Sequence, residues 1–508
     1  MKLELLCKAA GIRCPDAEIS REISAIETDS RRVKVGAMFV CIRGLHVNGH
    51  AYIAEAVRAG ASCILVQRDC EWEAPKGVLI LQSENTRCAA ARLYHAWYGF
   101  PAQRLKIIGV TGTNGKTSVT CLLRAILEAA LCRCGLIGTV GYESAGRRLQ
   151  VASATDPLAN MTTPDPAELY RVLAEMVEDR VEYVLMEVTS HALALDKLDP
   201  IEFEAAIFTN LTPEHLDFHG TMEAYAEAKA RLFSKSRLAI FNGDSPYAAY
   251  MKAHTTGPCI TCAIDGDADY VAENRSQSES GVSYDLSSRD SRIRISCPIA
   301  GDFSVMNSMQ AAVCALQLGL GASVIKAGIS SVMGVRGRME RVKLGLGAEF
   351  RVLIDYAHTP DALENLLRTA RQMLNKGERL VLLFGCGGDR DRTKRPVMGK
   401  IASAYADAII LTSDNSRSEE PEAILSEILT GIDPKSVYTV IPDRKEAIDF
   451  AIQQAKKGDL ILLAGKGHEE YEITKEGRRP FCERELVQKA FRLRQGSNPT
   501  IESTETEL

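Results

Sequence analysis

The stretch Leu105–Leu131, LKIIGVTGTNGKTSVTCLLRAILEAAL, leaves the chain few options. Ile107, Ile108 and Val110 form a β-branched run. Gly112, Gly115, Lys116 and Thr117 follow in a loop, and Val119, Leu122, Leu123 and Ile126 then recur at helical spacing. Strand, glycine loop and helix in that order form a phosphate cradle. Glycines let backbone N–H groups converge on anionic oxygens, the helix N-terminus adds positive potential, and Lys116 adds a full charge. The Thr117 hydroxyl is placed to hold Mg²⁺. The pattern G-x-x-x-x-G-K-[ST] is met except at its first glycine, where Val110 stands. The expectation is an ATP site over Thr111, Gly112, Thr113, Asn114, Gly115, Lys116 and Thr117.

At 508 residues the chain is too long for one core, and about three domains are expected. The fold class read from the pattern is α/β. Residues 1–103 read as a small α/β domain, with strands at Ala37–Ile42, Cys63–Val66 and Val78–Leu81 and helices at Tyr52–Ala59 and Thr86–Trp97. GFPAQR (Gly99–Arg104) is the linker into the phosphate loop. Residues 104–336 read as a P-loop ATPase-like domain. Its runs Leu105–Val110, Tyr183–Val188, Ala205–Thr209 and Leu238–Phe241 are continuously apolar, as in parallel strands covered on both faces. Polar text from Asp265 to Pro298 reads as an excursion from that sheet. Residues 337–495 alternate strand and helix patterns again, in a doubly wound Rossmann-like domain. The polar, acidic tail 496–508 is expected to be disordered.

A net charge of −5 gives no reason to expect nucleic acid as partner, and no run of about 18 apolar residues suggests membrane insertion. The N-terminus lacks a signal-peptide h-region. Fifteen cysteines are scattered through apolar runs, as reduced cysteines are in a cytoplasmic protein. Cys259-x-x-Cys262 has metal-ligand spacing but no second pair to complete a site.

Chemistry-bearing residues collect where strands run out. Glu187, in MEVTSH, sits at a carboxyl end where ligands of open α/β sheets bind, and can complete the Mg²⁺ shell begun by Thr117. TNLTPEHLDFHG brings His215 and His219; Asp217, Phe218 and Gly220 argue for a loop there, not a helix. Asp355-Tyr-Ala-His358, preceded by Arg338, ends a later strand. An arginine and a histidine from another domain could close over ATP phosphates. Asp414-Asn415-Ser416-Arg417 and Gly465-Lys466-Gly467-His468-Glu469 follow two further strand ends.

Taken in order, TDSRRVKVGAMFVCIRG, GVTGTNGKT, MEVTSHAL, TNLTPEHLDFHG, the helix with Lys229, GRMERV, DYAHTP, FGCGGDRDRTKRP, SDNSR and AGKGHE resemble the Mur ligase family over nearly the whole chain. These are ATP-dependent amide-bond ligases of peptidoglycan precursor synthesis. The resemblance is to the branch that extends UDP-MurNAc-L-Ala-D-Glu. It implies that the D-glutamate γ-carboxylate attacks ATP to give an acyl phosphate, which an amine then converts to an amide. By the same resemblance Lys116, Glu187, His215, Lys229 and His358 are catalytic. Thr117, Glu187, His215 and Lys229, the last as a carbamate, are metal ligands; Asn307, Arg338 and Asp355 contact ATP. Thr28, Ser30 and His46 would hold the UDP end, and Thr162, Thr163, Thr189 and Lys197 the peptide-bearing part. Arg390, Asp414, Asn415, Ser416, Arg417, Gly465 and Glu469 would form the amino-acid pocket. The implied partners are UDP-MurNAc-L-Ala-D-Glu, meso-diaminopimelate and ATP with Mg²⁺, and the implied state is a monomer.

Arg417 suits a fork-shaped contact to a second carboxylate, which meso-diaminopimelate has and L-lysine lacks. Ser416 replaces the proline of the usual DNPR signature, leaving L-lysine or another diamine as the alternative. Lys197 replaces an arginine of some relatives, and Thr189 a serine. A folylpolyglutamate-synthetase-like ligase would share the glycine loop but give the TDSRRV region no UDP-sugar to bind. A scaffold that had lost catalysis would not be expected to keep Lys116, Glu187, His215, Lys229 and His358.

Overall fold

The computed structural model of the protein describes residues 1–44, 47–70, 72, 77–150 and 162–496. His46 and all of the tail beyond Gly496 lie outside them. Gly496 itself ends a helix, Glu483–Gly496.

Three larger sheets carry the described residues, and Tyr471–Thr474 pairs with Gly477–Pro480 in a fourth of two strands. The first has four parallel strands in sequence order: Ile26–Glu27, Met38–Val40, Cys63–Gln67 and Leu79–Ser83. The second has eleven strands, with Lys106–Thr111 between Ala205–Phe208 and Tyr183–Glu187. The third has six, in the order Glu340–Arg341, Arg351–Asp355, Leu460–Ala464, Leu380–Phe384, Ala408–Leu411 and Tyr438–Val440; the first pair is antiparallel and the rest parallel. The large and the C-terminal sheets are covered by helices on both faces, which is why their central strands are apolar apart from residues at their ends.

Two expectations are corrected here. The polar stretch after Asp265 is no excursion. Tyr270–Ser278 pairs in parallel with Cys259–Ala263, and Gly281–Ser287 and Arg292–Cys297 extend the same sheet antiparallel. Its outer strand alternates exposed and buried residues (Arg292–Cys297), so it lacks the continuous apolar run of the interior strands. The region after His215 is also not wholly loop: Leu216–His219 makes a single helical turn, too short to show a period in sequence. All fifteen cysteines are free, including Cys259 and Cys262, which lie on one strand.

The phosphate-loop helix, Lys116–Ala129, is fixed by its inner face. Val119, Leu122, Leu123 and Ile126 are each fully buried, and burying such a side chain contributes about 1.5–3 kcal/mol. The helices Phe303–Gln317 and Ala322–Ser331 pack on it. At the second contact the backbones nearly touch, because a Cβ built on Gly328 would overlap the backbone of Ala125 and Ile126. Gly328→Ala should therefore push the two helices apart and destabilise the protein by about 1–3 kcal/mol, as other overpacked cores do. Thermal unfolding of the variant should show a lower midpoint; an unchanged midpoint would mean the contact is looser than described.

Candidate functional site

The glycine loop sits at the carboxyl edge of the large sheet, where neighbouring strands leave in different directions. Gly115 (φ 88°) opens the Lys116–Ala129 helix, and Gly112 (φ 149°) passes so close to Thr209 and Asn210 that no side chain fits. Lys116 Nζ donates across the loop to the carbonyls of Gly112 and Thr113, both at 2.8 Å. Burial lowers the pKa of this lysine. The loop's polar groups divide into two sets. The Thr113 and Asn114 N–H groups are taken by Asn210 (3.0 and 2.9 Å), and the Thr111 and Thr113 hydroxyls by the carbonyls of Val188 and Thr212. The first-turn N–H groups of Lys116 and Thr117 have no carbonyl four residues back within the helix. Asn307, almost buried, has its side-chain oxygen against Gly115.

Glu187 ends the adjacent strand at 1% exposure. Its carboxylate accepts from the Thr117 hydroxyl (3.0 Å), the Thr139 hydroxyl (2.8 Å) and the Thr139 N–H (2.9 Å). Among the described residues no basic side chain stands within ion-pair distance of it. Thr162 reaches the Thr139 hydroxyl at 3.2 Å, and Thr163 donates to the Glu187 carbonyl at 2.8 Å while accepting from the Thr189 N–H at 3.0 Å. The Thr189 hydroxyl caps a short helix by accepting from Ala192 N–H. Lys197, largely buried, pairs with Asp165 at 2.7 Å.

Lys229 enters this space from the helix Met222–Ala230. It is 2% exposed, donates to the Gly112 carbonyl at 3.0 Å and lies over the Tyr225 ring. Burial, aided by the Lys116 charge, holds its pKa well below the usual lysine value. Next to it is a group of imidazoles. His191 packs edge-on against His215 (4.8 Å between ring centres) and stands 5.5 Å from His219. Burial lowers His215 to about 4, His219 to about 4 and His191 to about 3, with neighbouring cations adding to the effect. His215, in the left-handed region at φ 55°, makes no ion-pair contact with Glu187; its ring meets Glu214, His191 and Tyr225. Among the described residues no three His, Cys, Asp or Glu side chains converge tightly enough to hold a metal by themselves.

The C-terminal unit closes over this edge. His358 Nε2 is 3.1 Å from Glu214 while its Nδ1 faces the Tyr356 carbonyl at 2.8 Å. Asp361 accepts from the Asn114 side chain at 3.0 Å, and Arg338 reaches the Thr117 hydroxyl at 3.4 Å while lying over the Tyr356 ring. Burial opposes ionisation of Glu214, yet His358, His215 and Lys116 outweigh it and hold the carboxyl well below its usual range. Asp355 plays another part: its oxygens accept from the N–H groups of Met339 and Ala357 (2.7 and 2.8 Å), which shapes the turn presenting Arg338.

Between the two units lies a cleft of about 610 Å³. Glu214 and His215 line one wall; Arg390, Asp414, Asn415, Arg417, Gly465 and Glu469 line the other, with His358 between. The Arg417 guanidinium donates to the Gly388 carbonyl at 2.7 Å, and Arg390 is near enough to repel it. Ser416 is buried and does not line the cleft. In the N-terminal unit Ser30 donates to Glu55 at 3.1 Å and Thr28 lies beside the Tyr94 hydroxyl. Sequence reasoning passed over Glu214, although it adjoins His215, and over Asp361, inside the DYAHTP stretch's helix. Thr139 had no local signal, since only strand pairing brings it to Glu187.

The sequence matches three family descriptions: "Mur ligase family, catalytic domain" over residues 22–101, "Mur ligase middle domain" over 110–315 and "Mur ligase, glutamate ligase domain" over 337–467. A UDP-N-acetylmuramoyl-L-alanyl-D-glutamate–2,6-diaminopimelate ligase of Syntrophomonas wolfei is 41% identical, with 97% of this chain and 99% of the relative covered. One from Clostridioides difficile is 40% identical over 96% and 99%. A solved structure of a ligase of that name superposes with TM-score 0.66 at 30% identity, covering 97% of this chain and all of the other.

Because Glu214 joins the two walls through His358, Glu214→Gln should loosen the C-terminal unit. Small-angle scattering should give a larger radius of gyration for the variant than for the parent at neutral pH. Equal radii would show that the Asn114–Asp361 and Arg338–Thr117 contacts suffice.

Proposed function

The chain belongs to the Mur ligase family, and from that premise we propose that it joins meso-2,6-diaminopimelate to the D-glutamate γ-carboxyl of UDP-MurNAc-L-Ala-D-Glu at the expense of ATP. The observation that carries this reading is the composition of the 610 Å³ cleft. Two guanidiniums, Arg390 and Arg417, and two carboxylates, Asp414 and Glu469, share one wall of a space whose other wall carries Glu214 and His215. An amino acid presents a carboxylate and an ammonium, and meso-diaminopimelate presents two such pairs. A site with paired cations and paired anions complements it better than it complements L-lysine.

In this reading residues 1–103 receive the UDP end through Thr28, Ser30 and His46, residues 104–336 hold ATP, and residues 337–495 hold the amino acid. The γ-carboxylate oxygen attacks the γ-phosphorus and ADP leaves. The amine, having lost a proton, then attacks the acyl carbon, and phosphate departs with the carboxylate oxygen. The loop N–H groups and Lys116 receive the phosphates, and Arg338 with His358 brings charge from the C-terminal side. Thr162, Thr163 and Thr189, hydrogen-bonded around the Glu187 strand end, would orient the dipeptide together with Lys197.

Mg²⁺ fits this site. Glu187 is a buried carboxylate with hydroxyl partners and no basic one, the kind of group a hard cation neutralises. Thr117 and Glu187 would hold the ion with phosphate oxygens and water, as Mg²⁺ prefers, with His215 and a carbamylated Lys229 completing the surroundings. When bound, Mg²⁺ neutralises charge on the transferring phosphoryl group. Burial and the Lys116 charge disfavour the charged form of the Lys229 amine, and the uncharged form is the one that adds to carbon dioxide. In this reading the enzyme is a monomer in the cytoplasm, as expected from the sequence, and fifteen free cysteines are compatible with that compartment. No helix among the described residues is long and apolar enough to cross a membrane.

Phosphate release with ATP, Mg²⁺ and UDP-MurNAc-L-Ala-D-Glu should require meso-diaminopimelate and fail with L-lysine; turnover with L-lysine alone would overturn the pocket assignment. Lys229→Ala should lose at least about a hundredfold in kcat, the usual scale for removing one group that stabilises developing charge. Short carboxylic acids should restore part of that loss, and full activity without them would remove the carbamate.

A further inference from the structure

The cleft's anionic wall depends on a residue that never reaches it. Lys466 is fully buried between the loops that follow Leu460–Ala464 and Ala408–Leu411. Its Nζ donates to the Asn415 side-chain oxygen at 2.9 Å and to the Tyr471 carbonyl at 3.1 Å. It stands 3.7 Å from both Asp414 and Glu469. Asn415, so held, donates to Glu469 at 2.8 Å and accepts from the Ile473 N–H at 2.9 Å. Two chain segments, Asp414–Asn415 and the turn from Gly465 to Tyr471, thus meet at one cation.

A single buried cation facing two carboxylates is an unusual arrangement to keep in a stable core, since burying the charge costs more than an apolar residue of the same size would. Its position gives it a use. Two acids sharing a low-dielectric space repel each other, and without a cation between them one or both would take up a proton and lose attraction for an ammonium. Arg444 reinforces the arrangement from behind. It is also buried, donates to the carbonyls of Ser413 and Ala464 at 3.0 and 2.8 Å, and pairs with Glu483 at 2.8 Å.

We propose that Lys466 is the positioning residue of the amino-acid cleft, holding Asp414 and Glu469 at the spacing and charge that receive an ammonium of the incoming diamino acid. This rests on the reading of the cleft given above. Burial works against both carboxyls, but Lys466 and Arg444 hold Asp414 below its usual value, whereas at Glu469 burial and the Asp414 charge outweigh Lys466 and raise it. The pair therefore carries at least one full negative charge at neutral pH. The other charged and titratable groups facing it are Arg417, His358, Tyr356, Tyr471, Cys386 and the Arg444–Glu483 pair, with Arg390 in the same cleft lining.

The test is steady-state kinetics of the full-length enzyme with meso-diaminopimelate as the varied substrate, from pH 6 to pH 9 on the order of half-unit steps. Lys466→Met should raise KM for meso-diaminopimelate by about tenfold or more, the factor that one pKa unit represents. KM for ATP should stay the same and kcat within about threefold. Removing the cation raises both acids, so the acid-side rise in KM should begin at higher pH than in the parent. A merely structural residue would lower stability or kcat without moving that limb. If Lys466→Met does not yield folded protein, Lys466→Arg carries the test: the limb should stay in place because the charge remains, while KM rises through the displaced Asn415. A folded Lys466→Met enzyme with parental KM and limb, or a Lys466→Arg enzyme with a shifted limb, overturns the proposal. Arg417→Ala separates the two readings. A raised KM for meso-diaminopimelate there with no effect of Lys466→Met rejects the positioning role alone, and an unchanged KM there rejects the cleft assignment and the proposal with it.

Discussion

A carboxylate with almost no contact with solvent, Glu187, ties the centre of this molecule together. It receives one hydroxyl from the phosphate-loop helix (Thr117) and a hydroxyl and N–H from the neighbouring hairpin (Thr139). Those three bonds fix two strand ends and the start of the phosphate-loop helix relative to one another, and the glycine at position 138 is demanded by the same carboxylate, which would collide with any Cβ there. A buried charge without hydrogen bonds would be strongly destabilising, so the loop, the strand and the hairpin are held in one arrangement. The threonines at 162, 163 and 189 are hydrogen-bonded to that junction, and Lys229 reaches the same loop through the Gly112 carbonyl.

The same logic extends across the cleft. The C-terminal sheet presents Arg390, Asp414, Arg417 and Glu469 from three different strand ends, and two buried cations, Lys466 and Arg444, join the ends that carry Asp414 and Glu469. Contacts from Glu214 to His358, Asn114 to Asp361 and Thr117 to Arg338 bring that wall against the phosphate loop. Each is polar and partly solvated, which suits a joint that opens to admit three substrates and closes to exclude water.

Much of this was legible in the sequence. The phosphate loop announces itself because strand, glycines, lysine and helix occur together, and strand ends such as Glu187, Asp355 and Gly465 can be found by where apolar runs stop. Other features have no local signature. Thr139 matters only through its partner across a hairpin, and Glu214 reads as an ordinary loop acid until His358, far away in the chain, is brought to it. The strands after Asp265 look like an excursion because an edge strand with one wet face is half polar. Lys466 was visible as a lysine in a glycine-rich turn, but nothing in the turn says that it is buried between two acids.

The central claim is that the carboxylate of the dipeptide is activated by direct phosphorylation in this closed cleft. It is tested most directly by following the oxygen. With UDP-MurNAc-L-Ala-D-Glu labelled with ¹⁸O in the γ-carboxylate, the account predicts that one labelled oxygen appears in the inorganic phosphate of each turnover, seen by mass spectrometry or by the isotope shift in the phosphorus spectrum. Phosphate released without label, while the amide still forms, would contradict it.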